Sequence, residues 1–415
     1  MNQIQVPFFR PNITDQEVEE VVATLRSGWL TSGPKVRRFE DQFATAVGAP
    51  YAAGVNSCTA ALHLALEAVG LKPDQAVLVP TMTFAATAEV VRYLGAIPIL
   101  VDCDPVTLNL DLNDALEKLA HLASGKLSGA LRRDPSVVGI MPVHVGGMMM
   151  DITEVERFCA SNGLWVVEDA AHAFPAAWRS GPDKEWQRCG EGTAAVTCFS
   201  FYANKTITTG EGGMAVTGDP ELMCRIRSMS LHGLSHDAWG RYSGGTWDYK
   251  IMAPGFKYNL TDIAASIGIH QLARAEEMRR EREMIARVYM EALSDVEEIQ
   301  LPPDDPNRIH SWHLFPIKLN LDRLSVDRNV FIEELKQMGI GCSVHWRPLH
   351  LHPYYQETFG WQPEDFPVAT AVWQRSISLP IFSGMTSHEI ERVILSVRGI
   401  CANHSRLCIG FSSRI

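Results

Sequence analysis

The chain has 415 residues, 46% of them hydrophobic and 20% charged, with a formal net charge of -11. These proportions are ordinary globular usage with room for a large domain and a smaller one, and the acidic balance excludes a general nucleic-acid binder, which needs a basic face. The N-terminus MNQIQVPFFRPN has no basic stretch followed by an apolar one, no apolar run nears the ~20 residues that span a bilayer, and the nine cysteines are scattered without a CxxC pair, so a cytoplasmic protein with reduced thiols is expected.

In chain order, Ala76–Pro80 (AVLVP) reads as a buried strand and Thr87–Leu94 as a helix. Ile97–Asp102 is the next strand, VVGIMPVHV (Val137–Val145) holds a third, and Leu164–Asp169 (LWVVED) is a fourth. Helical spacing over Ile152–Asn162 stops before Gly163. This alternation predicts an α/β fold, a mainly parallel sheet flanked by helices, whose ligands sit at the carboxyl ends of the strands. Asp102, His144 and Asp169 are therefore candidates. Thr193–Phe201 and Gly213–Thr217 read as strands around a Gly-rich turn, Leu222–Leu231 as a helix and Ser235–Pro254 as a long loop. Thr261–Leu293 reads as one long amphipathic helix, whose run EEMRRERE is a solvated face. From about Ser294 the strands SWHLFPIKL and CSVHWRP and the helices Asp327–Met338 and Ser387–Ile400 predict a smaller α+β unit. The expected organisation is a large α/β domain over 1–260, a linking helix with a small C-terminal α+β domain over 261–401, and a tail over 402–415.

Three short segments carry chemistry. Ser57, Cys58 and Thr59 stand just before an apolar helical run, and a helix N-terminus offers free N–H groups and partial positive charge to a phosphate; an ordinary N-cap explains the same residues. Asp169 closes an apolar strand and is followed by Ala170, Ala171 and His172, a place where a carboxylate can meet a cationic ring nitrogen, or merely cap a turn. Lys205 lies between a strand and the glycines Gly210, Gly212 and Gly213; in a pocket it can lose its proton and form a Schiff base, and on a surface loop it does nothing. Taken together, a phosphate cradle, an acid for a ring nitrogen and a Schiff-base lysine fit one ligand, pyridoxal 5'-phosphate (PLP).

The blocks VNSCTAALHLAL, VPTMTFAATA, VVEDAAHA, CFSFYANKTITTGEGGM, KYNLTDIAA, HSWHLF and SVHWRPLHLHPYY, running between GWLTSGP and SLPIF, resemble the DegT/DnrJ/EryC1/StrS family of fold-type I, PLP-dependent sugar aminotransferases. The resemblance implies that Cys58, Thr59 and Ser200 hold the phosphate, that Phe84 stacks on the pyridine ring, and that Asp169 pairs with the ring nitrogen. His172 would lie near the ring, and Lys205 would carry the cofactor and then shuttle the proton. Asn259 would reach the phosphate of a neighbouring subunit, implying a homodimer with shared active sites, and Thr31 and His345 would lie on the substrate side. Two departures stand out: Cys58 where relatives often have glycine or alanine, and Thr261 near a place where many carry arginine. LHGLSHDAW and PGFKYNLTD look most like the branch acting on UDP-linked 4-keto sugars, with L-glutamate as amino donor and 2-oxoglutarate as its product. The competing reading is a catalytically silent regulatory protein of the same fold, which titration with glutamate would distinguish. No GxGxxG follows a strand, so a nicotinamide enzyme is not expected. His232 with His236, and His350 with His352, read as polar loop histidines, so no metal is expected.

Overall fold

The computed structural model describes residues 5–125, 135–235 and 249–406. In chain order come α1 (Asp15–Ser27), α2 (Pro34–Val47), β1 (Tyr51–Val55), α3 (Cys58–Ala68), β2 (Ala76–Pro80), α4 (Ala86–Tyr93) and β3 (Ile97–Val101). Next are α5 (Leu112–Ala123), β4 (Val137–Ile140), α6 (Ile152–Asn162), β5 (Trp165–Asp169), the short strands β6 (Ala177–Trp178) and β7 (Gln187–Arg188), β8 (Val196–Ser200), β9 (Gly213–Thr217) and α7 (Pro220–Ser230). Four further strands are β10 (Ile299–Gln300), β11 (Arg308–Ile309), β12 (Phe315–Leu319) and β13 (Ser376–Leu379).

The large sheet has seven strands in the order β1-β9-β8-β5-β4-β2-β3. Its neighbours pair in parallel except β9, which runs antiparallel to both β1 and β8. Helices cover both faces, so β2, β3 and β5 bury nearly every residue and show apolar runs rather than alternation. The caps follow local chemistry. Asp151 accepts from Glu154 N at 3.1 Å to open α6, and Gly163, at φ 66, closes it in the left-handed region. The mainly parallel α/β architecture predicted from the sequence is present.

The sequence reading passed over α1, α2, β1 and α5 and, in the C-terminal part, the helices Pro353–Phe359 and Pro367–Arg375 and the strand β13. The long helix expected over Thr261–Leu293 is two helices, Asp262–Ala273 and Ala275–Ala292, meeting at Arg274. Arg274 turns its guanidinium to Asn12 and Glu17, and Asp262 accepts from the first N–H groups of α2, Gly33 at 2.8 Å and Val36 at 3.0 Å. The first helix therefore belongs to the packing of α1 and α2, and the second joins a core with Phe315, Phe331 and Ile377. That core also takes Val6, whose backbone bridges Ile340. The segment from Leu349 to Val372 packs instead on α3 and α4. CSVHWRP, expected as a strand, contributes a single bridge, Ser343 to Ser378.

Two of the strand-end candidates are taken up by packing. Asp102 accepts from Val368 N and Ala369 N at 2.9 and 2.8 Å and so caps the helix Pro367–Arg375. His144 is fully buried and faces Glu168, Nε2 to Oε1 3.7 Å. Most of the loop Ser235–Pro254, including His236, and the end of the tail lie outside the described residues. His350 bonds Thr81 and Thr370 through its two ring nitrogens, and His352 bonds the Arg347 carbonyl, so neither is turned to a metal. Among the described residues every cysteine carries a free thiol, and no helix is long and apolar enough to cross a membrane.

Candidate active site

A cavity of about 590 Å³ opens at the carboxyl end of the sheet. It is bounded by the start of α3, the end of β5, the loop after β8 and the segment 343–346. Cys58, Thr59, Phe84, Asp169, His172, Ser200, Lys205 and His345, all singled out from the sequence, line it together.

The α3 end is built as a cradle. Ser57 is the N-cap, its hydroxyl accepting from Ala60 N at 3.1 Å, which leaves the N–H groups of Cys58 and Thr59 at the cavity edge. A Cβ on Gly213 would stand 2.5 Å from the Ser57 carbonyl carbon and 2.6 Å from Cys58 N. Only glycine lets the start of β9 close on this helix end. Burial pushes the Cys58 thiol well above its ordinary range, so it acts here as a small neutral wall.

Asp169 projects into the same cavity from the last position of β5. Its Oδ2 accepts from the Thr87 hydroxyl at 2.8 Å and its Oδ1 from Ala171 N at 3.1 Å. Burial raises its carboxyl above the usual range, against the pull of those two donors and of Lys205. A cationic ring nitrogen placed here would gain a charged partner and remove that burial cost.

Lys205 is held by a turn, its N–H donating to Tyr202 O at 2.9 Å. Burial brings the ammonium down to about 8, opposed by the charge of Asp169 and assisted by that of Arg282. Its Nζ lies 3.4 Å from His313 Nε2. The His313 ring is 4.1 Å from that of His172, which stacks at 5.2 Å on Trp346. Burial drives both histidines well below their ordinary range, with Lys205 adding to the effect. His345 bonds Ser378 Oγ at 2.9 Å, and burial lowers it to about 4.

Two expected residues stand elsewhere. Asn259 donates to Ser32 Oγ at 2.7 Å and accepts from Lys257, and the Thr31 carbonyl accepts from Asp262 N at 3.1 Å. Both lie on an edge outside their own chain's cavity wall. Conversely, His313, Trp346 and Thr87 were not singled out from the sequence. His313 and Trp346 sit in the blocks HSWHLF and SVHWRP, but nothing in spacing alone marks them, because their approach to Lys205 and His172 is long-range.

The site fits PLP on its own chemistry. It offers a helix N-terminus for an anion, a buried carboxylate with acceptor capacity to spare and an amine of lowered proton affinity. Asn204 Oδ1 and His313 Nδ1, on two of its lining residues, are buried with no hydrogen-bond partner among the described residues.

Comparison with known proteins agrees. The model of the DegT/DnrJ/EryC1/StrS aminotransferase family matches residues 11–398. An uncharacterized protein of Methanocaldococcus jannaschii is 42% identical over 400 residues, covering 96% of this chain and 98% of that protein. The spore coat polysaccharide biosynthesis protein SpsC of Bacillus subtilis is 41% identical over 397 residues, 95% of this chain and 97% of its own. Among solved structures, the PLP form of a putative sugar aminotransferase from Streptococcus pneumoniae superposes with a TM-score of 0.83 at 29% identity, covering 96% of this chain and 99% of that one. Its PMP form, with a TM-score of 0.84, covers 96% and 100%. The fold is fold-type I, and the cofactor is PLP. The chain belongs to the DegT/DnrJ/EryC1/StrS aminotransferase family and is a PLP-dependent aminotransferase.

Proposed function

We propose that the protein moves an amino group from L-glutamate to a nucleotide-linked keto sugar, a UDP-linked 4-keto sugar in particular, for a cell-surface polysaccharide or another amino-sugar product. The observation that carries the reading is the meeting of Lys205, Asp169 and the α3 N-terminus in one cavity. The names of relatives, one in polysaccharide biosynthesis and one a putative sugar aminotransferase, supply the substrate class.

When bound, the cofactor supplies an aldehyde that takes up the amino group and a heterocycle that delocalises the electron pair left after proton loss. The remaining work falls to the chain. The N–H groups of Cys58 and Thr59, the Thr59 hydroxyl and Ser200 bind the phosphate, the helix end adding its partial charge. Phe84 would cover the ring, and Asp169, held by Thr87 and Ala171, would keep the ring nitrogen protonated. Lys205 Nζ would hold the aldehyde. Displaced by glutamate, it would take the proton from the donor Cα, since burial lowers its ammonium to about 8, close enough to working pH for it to give and take a proton. In the second half it would deliver a proton to the carbon that receives the amine. His172 and His345, kept neutral by burial, offer hydrogen bonds rather than charge. Glutamate leaves as 2-oxoglutarate and the ketone leaves as an amine, so the two halves balance.

Asn259 and Thr31 stand on an edge outside their own cavity wall, which supports a homodimer in which they serve the partner's site, in the cytoplasm where nucleotide sugars are made. The test presents purified protein first with L-glutamate and then with UDP-, dTDP- and GDP-linked keto sugars. Glutamate should convert the PLP spectrum to the pyridoxamine form, and one keto sugar should reverse it. Loss of the pyridoxamine form to simple keto acids only, with no keto sugar active, would overturn the substrate assignment.

A further inference from the structure

Arg282, in the helix Ala275–Ala292, is 3% exposed, and burial lowers its guanidinium to about 10. Its Nη1 donates to two carbonyls, Trp312 O at 3.2 Å and Ile381 O at 2.8 Å, and its Nε has no partner among the described residues. A buried cation satisfied by carbonyls alone is costly to keep, so what it holds matters. Trp312 is one of the few non-glycine residues in the left-handed region, at φ 51. That conformation is strained for a bulky side chain and persists only where surroundings over-determine it. Here they do: Trp312 N donates to His310 Nδ1 at 2.7 Å, the two rings stack at 4.0 Å, and Arg282 takes the carbonyl. On either side, Ser311 donates to the His172 carbonyl and Leu314 N to Gly146 O. The residue after the strained one is His313, whose Nε2 faces Lys205 Nζ.

We propose that Arg282, which lies outside the cavity wall, is a positioning residue that locks the Trp312 turn and thereby fixes His313 Nε2 against the Lys205 amine. The inference rests on Lys205 being the cofactor lysine. Its consequence is a lysine whose proton has a defined neighbour once it is released from the cofactor. The groups facing Lys205 are Cys58, Asp169, Arg282 and His313; those facing His313 are His172, Lys205, His345 and Arg282. No carboxylate other than Asp169 is in this set, so a displaced His313 would leave the amine without its nearest hydrogen-bond partner.

The test uses holoenzyme variants R282M, R282K and H313A and the doubles R282M/H313A and R282K/H313A. The readouts are the pH midpoint of the visible cofactor band and the single-turnover rate with glutamate. R282K keeps the charge and a donor but loses the rigid guanidinium plane that aims the single nitrogen Nη1 at both carbonyls. Both Arg282 variants should slow the single turnover about tenfold, with little change in apparent glutamate affinity, and move the band's midpoint by about half a unit or more. In the H313A background neither should add a further effect, as expected for residues acting through one contact. Should R282M fail to fold, R282K and its double carry the same cycle. A wild-type midpoint and rate in R282K would show that charge alone suffices and would overturn the proposal, as would rate losses that multiply in the double variants. Failure of the underlying lysine assignment is separate: it shows as a visible band that survives in K205A.

Discussion

Two carboxylates stand side by side at the end of β5, and their surroundings differ completely. Glu168 points to one side of the sheet, into a sealed group. Its Oε2 accepts from Thr193 at 2.8 Å and Thr197 at 2.7 Å, its Oε1 faces His144, and the Cys189 thiol completes the cluster. Burial works against its charge, yet His144 and the two threonines bring its carboxyl below the ordinary range. Asp169, the next residue, points to the other side with one hydroxyl and one N–H, and burial leaves its carboxyl raised. Strand alternation alone separates them. The lesson is that Glu168 Oε2 takes two hydroxyl donors inside a sealed group, with Oε1 3.7 Å from His144, and stabilises the fold, whereas Asp169 faces the cavity where a charged partner can bind.

That contrast can be broken from either side. The largest effect is expected on the cavity side: Lys205→Ala should abolish the visible cofactor band and slow turnover by about 10⁴-fold or more, as stopped-flow spectra would show. Asp169→Asn comes next. It should keep the band but slow the glutamate half-reaction by about a thousandfold, because the amide cannot hold the ring nitrogen's proton. On the sealed side the effect should pass to stability. Glu168→Gln should lower unfolding free energy in urea by about 3 kcal/mol while the band and its pH dependence stay as they are. If Glu168→Gln damaged the spectrum and Asp169→Asn did not, the division between the two faces would be wrong.

The smallest effect concerns pH. Burial lowers His345 to about 4, while the unfolded chain titrates near an ordinary ~6.5. Below that value the unfolded state binds the extra proton, so His345's contribution is whole above ~6.5 and is lost as pH falls toward 4. His345→Asn should therefore remove about 1 kcal/mol of the stability loss between pH 7 and 5.5, read from urea midpoints at the two pH values.

Much of this site was legible in the sequence because its parts are local. The run LWVVED announces a buried strand ending in a carboxylate, and Gly213–Thr217 and Ile152–Asn162 have in the structure the bounds read from the sequence. Ser57 to Thr59 before an apolar run marks a helix start, though cap and cradle look alike until Gly213 is seen closing on it. What was not legible depends on distance along the chain. The break at Arg274 is set by Asn12 and Glu17, more than 250 residues away, and leaves no mark on helical periodicity. Thr87 gives no sign of serving Asp169, 82 positions on. His313 reaches Lys205 across 108 positions, by a turn whose strained residue is a tryptophan that no turn rule would place there.

The most direct test is where the cofactor is attached. Holoenzyme is reduced with borohydride, digested, and the peptides read by mass spectrometry. The account predicts the pyridoxyl mass on Lys205 in the peptide containing FYANKTITTG, with glutamate pre-treatment preventing the label. The label on any other lysine, with Lys205 unmodified, would contradict it.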